Sequence, residues 1–342
     1  MRVAMVYDFQ DVRIEERPIP AISPQEVLVQ MRACGICSSD VMDWYIRRKA
    51  PLVLGHEPAG VIVEVGAEVE GFRVGDRVFI HHHAPCMQCR DCRRGNHTLC
   101  ETWRNSQLDP GGLAEFVRVP AINLQHDTLL LPPTLSFAEG TLVEPVGCVV
   151  KAMQRAGVQA GDIVLVIGLG FMGQLNVLLA KAYGAGLVLA ADLVPYRLEK
   201  AIQMGADWTI DVSRESLEEV VAAYTEGVMA DRVIVGPGTL PAMESGIRCV
   251  GKGGTVLFFT PTPPDSRLEI DPYTLYFREV TLTSSYSCGP PHTREALSWL
   301  EKGMIPADQL ITHRFPLEET PQAVQRVAEG GEVLKALIVF DH

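Results

Sequence analysis

Hydrophobic and polar positions follow one pattern in the first part of the chain and another from Gly161 onward. Residues 27–33, 60–66 and 76–80 are short apolar runs, and glycine-containing turns lie between them. Such runs are typical of short strands joined by tight turns. We therefore expect a barrel-like all-β body at the start of the chain, with loops that protrude from it.

From Gly161 onward, strands alternate with helices. Residues 163–167 are an unbroken aliphatic run, which is the pattern of a parallel strand buried on both faces. A helical segment follows this run, and further strands are predicted at residues 187–191, 231–235 and 255–260. This alternation predicts a doubly wound α/β fold with a parallel sheet.

The first of these strands runs directly into a glycine-rich loop, residues 168–173, which opens a helix. An acid closes the next strand, nineteen residues after the last glycine of the loop. A G-x-G-x-x-G sequence in this context indicates a dinucleotide site, and loops after other parallel strands line the same site. The candidate cofactor-binding residues are Gly168, Gly170, Phe171, Met172, Gly173, Asp192, Arg197, Gly236 and Gly238.

The choice of dinucleotide depends on the charge near the ribose. Asp192 can hydrogen-bond both ribose hydroxyls of NAD, and its carboxylate would repel the 2′-phosphate of NADP. Arg197 could receive that phosphate, but we interpret it as packing beside the adenine or as a solvated helix residue. The sequence therefore predicts NAD as the cofactor.

A metal site is predicted near the N-terminus, where Cys37 precedes His56 and Glu57. This uneven set of a thiolate, an imidazole and a carboxylate is typical of a catalytic zinc that keeps one position open. Glu144 stands in an apolar run before Pro145, where a metal would give a buried carboxylate a partner. The alternatives are a buried thiol, a loop histidine and an ordinary acid at a helix N-terminus.

Four cysteines lie within fifteen residues: Cys86, Cys89, Cys92 and Cys100. Their C-x2-C spacing predicts one tetrahedral structural zinc, and two local disulfides or an iron–sulfur cluster are the alternatives. Three histidines, residues 81–83, come just before them. Because neighbouring residues of a strand point to opposite faces, we do not expect these histidines to chelate a metal together.

Length and composition narrow the function classes. A chain of 342 residues predicts two domains, and its 47% hydrophobic and 21% charged residues indicate a globular protein. The net charge of −12 argues against nucleic acid or an anionic membrane surface as a partner. We find no signal peptide. The apolar run 163–180 is a candidate membrane span, but glycine and polar residues interrupt it, so we do not expect it to cross a membrane. Nine cysteines without a disulfide pattern favour metal ligands and a cytoplasmic enzyme.

Together these motifs resemble the zinc-containing medium-chain dehydrogenases, in particular their sorbitol (polyol) and threonine dehydrogenase branch. The resemblance covers nearly the whole chain. It rests on residues 35–40 (G-I-C-S-S-D), 55–57 (G-H-E) and 75–78 (G-D-R-V), the four cysteines, Glu144-Pro145, and the glycine loop with Asp192.

The resemblance implies two domains. A GroES-like, β-rich catalytic domain would comprise residues 1–146 and 286–342, and a Rossmann NAD-binding domain, residues 147–285, would be inserted between them. The active site would lie in the cleft between the two domains. Relatives of this type are homodimers or homotetramers, and we expect the strand at residues 279–283 to pair subunits.

The resemblance also implies roles around two zinc ions per chain. Cys37, His56 and Glu144 would bind the catalytic zinc, with Glu57 as a ligand in some states and Cys148 as an alternative ligand. Zinc would polarise the alcohol oxygen while hydride passes to the nicotinamide.

Proton transfer in this site would begin at Ser39, which would take the alcohol proton, while Asp40 would orient the histidine ligand. One position departs from the family pattern. Met42 stands where many relatives have a histidine of the proton relay, so Asp43, Tyr45 or water would have to serve instead.

The reaction implied is oxidation of a secondary hydroxyl of a polyol, sugar or amino alcohol to a ketone. A simple alcohol dehydrogenase is an alternative. A sugar-phosphate dehydrogenase is another, because the basic run of residues 47–49 would suit a phosphate if it reached the site. A non-catalytic NAD-binding protein ranks lowest, since the metal ligands are all present.

Overall fold

A computed structural model describes residues 1–9 and 11–341 of the chain. Its strands are β1 (Arg2–Asp8), β2 (Asp11–Glu16), β3 (Val27–Ile36), β4 (Leu52–Val53), β5 (Glu57–Val65), β6 (Arg77–Ile80), β7 (Phe116–Val119), β8 (Thr128–Leu130), β9 (Ile163–Ile167), β10 (Leu187–Asp192), β11 (Trp208–Asp211), β12 (Ala230–Val235), β13 (Val250–Phe258), β14 (Thr281–Ser284), β15 (Ile311–Pro316) and β16 (Lys335–Val339).

The α-helices are α1 (Asp43–Arg47), α2 (Arg90–Arg93), α3 (Glu101–Asn105), α4 (Ala121–Asp127), α5 (Phe137–Gly140), α6 (Val143–Ala156), α7 (Phe171–Ala182), α8 (Pro195–Gln203), α9 (Leu217–Tyr224), α10 (Leu240–Cys249), α11 (Pro272–Arg278), α12 (Pro290–Glu301), α13 (Ala307–Leu310) and α14 (Thr320–Glu329). Short 3₁₀ helices occur at Ser38–Val41, His97–Leu99 and Leu317–Glu319.

The chain divides into two compact units. The first unit comprises Met1–Gly147 and Cys288–His342, and the second unit comprises Cys148–Ser287. Among the described residues, no helix combines the length and the apolar character that a membrane crossing requires.

The first unit is built on β-sheet, as the N-terminal pattern predicts. A sheet of seven strands has the order β15-β16-β3-β5-β6-β8, with β7 paired to β3. A smaller antiparallel sheet has the order β2-β1-β4. Alternate side chains of these strands form a core that includes Val29, Met31 and Ile62, all of which are fully buried.

The long central strand β3 positions the chemistry of the first unit. It pairs with β5 in an antiparallel register that sets Gly35 opposite Glu57. On its other edge, β3 pairs with the C-terminal strand β16, where Ala336 lies opposite Ile36. One end of β3 therefore meets residues that are far apart in sequence.

The second unit contains a six-stranded, fully parallel sheet with the order β11-β10-β9-β12-β13-β14. This is the doubly wound order, in which the chain reverses direction across the sheet between β9 and β12. The aliphatic run predicted as a buried strand is β9, of which Val164–Val166 are almost completely buried. The predicted α/β parallel sheet is confirmed.

Two local expectations need correction. The sequence G-K-G-G at residues 251–254 predicts a turn, but these residues form a bulge within β13, because Ala230 pairs with Val250 and Arg232 pairs with Thr255. The sequence of residues 110–150 predicts turns and strands before α6, yet α4 and α5 are helices of seven and four residues. Helices this short contain at most two turns, so they leave little periodicity in the sequence.

Candidate active site

Three predicted metal ligands lie together in the first unit. Cys37 follows the end of β3, while His56 and Glu57 stand at the start of β5. Antiparallel pairing of the two strands brings these ends together, and one ligand atom from each residue lies within 4.8 Å of the others. The set offers sulfur, nitrogen and oxygen donors of the kinds that bind zinc, so the residues fit the metal that the sequence predicts.

Asp40 holds two members of this cluster in position. Its carboxylate accepts a hydrogen bond from the backbone N–H of Cys37 at 2.9 Å, and it lies 3.5 Å from Nδ1 of His56. Burial acts to lower the pKa of His56, but the charges of Asp40 and Cys37 raise it well above its ordinary value. A carboxylate on Nδ1 leaves Nε2 of the ring available for a metal.

Lys335 is a component of this site that the sequence pattern did not reveal. Its Nζ lies 2.6 Å and 2.5 Å from the two carboxylate oxygens of Glu57, and it donates to the carbonyl of Ile36 at 3.1 Å. Burial raises the pKa of Glu57, and the positive charge of Lys335 opposes that shift. The apolar run of residues 336–340 predicts only a strand, and Lys335 precedes that run, so no sequence pattern marks it as a site residue.

Glu144 occupies the first turn of α6, and two histidines are among its candidate partners. A carboxylate oxygen of Glu144 and one ring nitrogen each of His81 and His82 lie within 4.8 Å of one another. The ring centroid of His82 is 5.0 Å from that of His56, which connects this group to the first cluster. Among the described residues, Glu144 and Cys37 belong to different candidate groups, and Cys148, the alternative ligand, lies one turn after Glu144 on helix α6.

The proximity of His81 and His82 corrects the expectation that these neighbours face opposite sides. Strand β6 ends at Ile80, so the alternation of faces no longer applies to the histidines that follow it. Their ring nitrogens therefore approach the same carboxylate.

His81 is fixed by a buried network. Its Nδ1 lies 2.6 Å from the carboxylate of Asp127, which also accepts a hydrogen bond from the hydroxyl of Thr293 at 2.5 Å. Its Nε2 lies 3.8 Å from the thiol of Cys288. Burial alone would lower the pKa of His81, but Cys288 and Asp127 raise it well above its ordinary value.

The remaining residues proposed for proton transfer lie around the 3₁₀ helix that follows Cys37. Ser39 is half-buried in this helix. Asp43 and Tyr45, the substitutes for the missing relay histidine, are engaged on the surface: Asp43 pairs with Arg47, and the Tyr45 hydroxyl accepts from Lys49 at 2.6 Å. Arg47 also pairs with Asp8 at 2.8 Å, so carboxylates neutralise part of the basic run.

The four clustered cysteines form a second candidate metal site in the first unit. One Sγ from each lies within 4.8 Å of the others, and individual distances are 3.6 Å for Cys86–Cys100 and 4.0 Å for Cys86–Cys92. A tetrahedral zinc with Zn–S bonds of about 2.3 Å requires sulfur separations of about 3.8 Å.

The pKa values of Cys86 and Cys100 in this cluster are lowered, whereas burial raises the pKa of Cys92 to about 12. Backbone N–H groups of Gln88 and Cys89 lower the pKa of Cys86 to about 6. All nine cysteines of the chain are free thiols rather than disulfides. The spacing, the thiolate stabilisation and the absence of disulfides among the described residues fit a structural zinc.

The glycine loop of the second unit has the geometry of a phosphate-binding turn. Gly168 has a φ of +84°, which residues with a Cβ rarely adopt. A Cβ on Gly173 would lie 2.0 Å from the carbonyl oxygen of Gly168, so helix α7 can approach β9 only without one. Gly170 is the N-cap of α7, and Phe171 and Met172 form its first turn, where free N–H groups favour anions.

Asp192 has a structural role in addition to its predicted one. At the end of β10, its Oδ2 accepts from the backbone N–H of Leu169 at 2.6 Å, and its Oδ1 accepts from Leu193 and Val194. It thereby ties the glycine loop to the strand end. The guanidinium of Arg197 lies 4.0 Å from the carboxylate of Asp192, so a positive and a negative charge lie side by side at the end of β10.

Gly236 and Gly238 follow the end of β12. The backbone N–H of Gly236 donates to the carbonyl of Ile167 at 2.8 Å, which joins the ends of β9 and β12. These two strands flank the point where the strand order reverses, and open parallel sheets bind ligands at that point.

Comparison with known families gives two matches. Residues 23–129 match the alcohol dehydrogenase GroES-like domain, and residues 172–302 match the zinc-binding dehydrogenase family. The predicted combination of a GroES-like part with a dinucleotide-binding part is confirmed by these matches.

Individual proteins agree with the family matches. Sorbitol dehydrogenase from Ovis aries is 36% identical over 343 residues, which cover 97% of this chain and 94% of the sheep protein. A zinc-binding dehydrogenase structure from Sinorhizobium meliloti 1021, bound to NADP, is 29% identical with a TM-score of 0.89 and covers 99% of this chain and 98% of its own. An alcohol dehydrogenase structure from Escherichia coli CFT073, complexed with NADH, is 28% identical with a TM-score of 0.89 and covers 99% of each chain.

Proposed function

Because the chain belongs to the zinc-binding alcohol dehydrogenase family, in its sorbitol dehydrogenase-like branch, we propose that it oxidises a secondary hydroxyl of a polyol, sugar or amino alcohol to a ketone with NAD. The observation that carries the proposal is the cluster of Cys37, His56 and Glu57, whose three different donor atoms lie within 4.8 Å of one another.

In this proposal Cys37 and His56 hold the catalytic zinc, and Glu144 or Glu57 supplies the carboxylate. A bound zinc ion supplies Lewis-acid polarisation of an alcohol oxygen, and the nicotinamide accepts the hydride. Asp40 keeps His56 in the tautomer that presents Nε2. Lys335 forms an ion pair with Glu57 and so competes with a metal for that carboxylate.

Ser39 is the proposed first acceptor of the alcohol proton. Its hydroxyl lies two residues beyond Cys37 on the 3₁₀ helix and is only half-buried, so a proton can continue to water. Water is the better candidate for that exit than Asp43 or Tyr45, because both side chains are held by basic residues on the surface.

We propose NAD rather than NADP because Asp192 places a carboxylate at the end of β10. Asp192→Asn keeps an oxygen that can accept backbone hydrogen bonds but removes the charge. We expect the ratio of kcat/KM for NADP to that for NAD to rise by about 10-fold. Arg197→Gln in the Asp192→Asn background should reverse that gain if Arg197 receives the phosphate. An unchanged ratio in Asp192→Asn would contradict this assignment.

Two zinc ions per chain are proposed, one at each cluster. Zinc analysis of the purified protein should give two equivalents, and Cys100→Ser should retain one with a lower melting temperature. Cys37→Ala should also retain one but with a melting temperature closer to that of the wild type, because it leaves the structural site intact. Nine free thiols also support the proposed cytoplasmic location, where thiols stay reduced.

We further propose that the first unit is the catalytic domain, that the second binds the dinucleotide, and that the chain forms a homodimer or homotetramer. The surface of the second unit supports self-association. Helix α11 has no buried residue, and it exposes Tyr273, Tyr276 and Phe277 at 72%, 77% and 66% of their areas. Exposed apolar patches of this kind are typical of interaction sites.

The proposed activity is tested by NADH formation at 340 nm with sorbitol, xylitol, inositols, L-threonine, 2,3-butanediol, simple alcohols and sugar phosphates. Each substrate is offered with NAD⁺ and with NADP⁺. Oxidation of a polyol with NAD⁺ that falls by about 1,000-fold or more in Cys37→Ala would support the proposal. Turnover of simple alcohols or of sugar phosphates alone would favour those alternatives. No turnover by protein that holds two zinc equivalents would count against the proposed reaction.

A further inference from the structure

The three consecutive histidines after β6 have different surroundings. Nδ1 of His81 is 2.6 Å from the Asp127 carboxylate, and Nδ1 of His83 hydrogen-bonds the carbonyl of Ser106. Nδ1 of His82 is buried and has no hydrogen-bond partner in the part of the chain that the structure describes. Of the three histidines, only His82 thus lacks a hydrogen bond at Nδ1 that would fix the orientation of its ring.

His82 also lies beside the residues of the proposed reaction centre. Its ring centroid is 5.0 Å from that of His56, and one of its ring nitrogens is within 4.8 Å of a carboxylate oxygen of Glu144. A histidine nitrogen sits about 2 Å from a zinc ion that it binds, and an alcohol oxygen bound to the same ion sits at a similar distance. If His56 holds a zinc ion, the ring of His82 therefore lies next to the ligand that would bring an alcohol oxygen to that ion.

An unpaired nitrogen at this position destabilises the protein unless something binds it. A buried polar atom without a partner is destabilising, and a phenylalanine of similar size would avoid that cost. An imidazole can donate through one nitrogen and accept through the other, which matches a hydroxyl, itself both a donor and an acceptor. A hydroxyl next to the reacting carbon would be at the right distance to meet this ring.

We propose that His82 hydrogen-bonds a second hydroxyl of the substrate, on the carbon next to the one that is oxidised, and thereby selects vicinal diols and polyols over simple alcohols. This inference rests on the proposed function, because it needs an alcohol at the metal site. The physical basis is that a site built to bond a hydroxyl strongly discriminates against an analogue without it, since the protein group is then left unpaired. His82 would act as a specificity residue that touches substrate, without taking part in hydride or proton transfer.

The test compares a diol with a mono-alcohol of the same carbon skeleton, 2,3-butanediol and 2-butanol, in the wild type and in His82→Phe. We expect the ratio of kcat/KM for diol over mono-alcohol to fall by about 10- to 100-fold in His82→Phe. His83→Phe is the matched control, because the bonded Nδ1 of His83 and the contact of its ring with Trp103 at 4.3 Å mark it as structural. Its ratio should stay within about 2-fold of the wild type.

A second variant and a binding measurement separate recognition from structural damage. His82→Asn keeps a hydrogen-bonding group near the position of Nδ1 and should recover part of the lost ratio. Sorbitol binding to the zinc-loaded protein with NADH, followed by NADH fluorescence, should weaken by about 10-fold or more in His82→Phe but not in His83→Phe. Zinc content and melting temperature are measured for every variant.

The outcomes distinguish this inference from the function on which it rests. If the wild type oxidises polyols and His82→Phe leaves both the ratio and sorbitol affinity unchanged, the role of His82 is wrong and the proposed function stands. An equal fall in ratio for His83→Phe, or a fall explained by lost zinc, would also overturn it. If the wild type oxidises no alcohol, the proposed function itself fails.

Discussion

At the residue scale, the site contains a fully buried ion pair between Lys335 and Glu57. The side chains of Lys335 and Glu57 are only 2% and 0% exposed, and the two residues come from opposite ends of the chain. Removing one partner of such a pair leaves an uncompensated buried charge. The pair therefore links the C-terminal strand β16 to the position of the proposed ligands.

We expect Lys335→Met to lower the free energy of unfolding by about 3–5 kcal/mol in urea denaturation. Lys335→Met combined with Glu57→Gln should recover part of this loss, because the stranded carboxylate is gone. Lys181→Met serves as the control, since its pair with Asp207 is about one-third exposed and should cost less than about 1 kcal/mol. Equal losses for Lys335→Met and Lys181→Met would show that burial of the pair is unimportant.

A pH dependence is expected from His83. Burial lowers the pKa of His83 to about 3, whereas an unfolded histidine has a pKa of about 6.5. Below pH 6.5, His83 binds a proton in the unfolded chain but stays neutral in the folded protein, so protonation favours the unfolded chain. This contribution to stability is therefore complete above pH 6.5 and is lost as the pH falls towards 3.

Between pH 7 and pH 5, the wild type should thus lose about 2 kcal/mol more stability than His83→Phe. Urea denaturation of both proteins at several pH values measures this difference. Parallel curves for the two proteins over this range would contradict the assignment of the acid sensitivity to His83.

At the scale of elements, the contact between α7 and β9 depends on glycine in two separate ways. Gly173 sits where a Cβ would collide with the backbone of Gly168, and Gly170 has open space around its Cβ position. The first glycine is required by packing within the protein. The second is required only if a cofactor approaches the start of α7.

We expect Gly173→Ala to lower both the melting temperature and the affinity for NADH, because the helix must shift. Gly170→Ala should keep the melting temperature of the wild type and weaken NADH binding by about 10-fold or more. Thermal unfolding and NADH fluorescence titration measure the two effects. Wild-type NADH affinity in Gly170→Ala would mean that the cofactor does not approach this loop closely.

Element-scale patterns also explain which parts of the architecture could be predicted. The aliphatic run of β9 and the glycine loop after it carry their signal within about fifteen residues, so both were recognised from sequence. Helices α4 and α5 were not, because so few residues give no clear period. The glycines of the bulge in β13 are equally typical of a turn, so the sequence does not distinguish the two structures there.

At the scale of the whole molecule, the apolar surface of α11 predicts association of two copies. We expect the double variant Tyr276→Asp with Phe277→Asp to shift the protein to a smaller oligomer, as measured by light scattering after size-exclusion chromatography. Val228→Asp is the control, because Val228 is also exposed but lies away from this helix in sequence. A wild type that is already monomeric, or a double variant with the wild-type mass, would contradict the prediction.

The sequence by itself determined the features whose signal is local: the cysteine spacing, the glycine loop with Asp192, the strand–helix alternation and the family resemblance. These depend on short-range geometry, which neighbouring residues impose on one another. The sequence motifs also predict that Cys37 and His56 share a metal site.

Only the tertiary structure decided the partners that come from distant parts of the chain. Lys335 meets Glu57 because β16 and β5 both pair with β3, and Asp127 fixes His81 across 46 residues. His82 approaches Glu144 because the chain leaves β6 at Ile80 and stops alternating. Such contacts follow from strand register and from the ends of elements, and no local pattern of side chains encodes either.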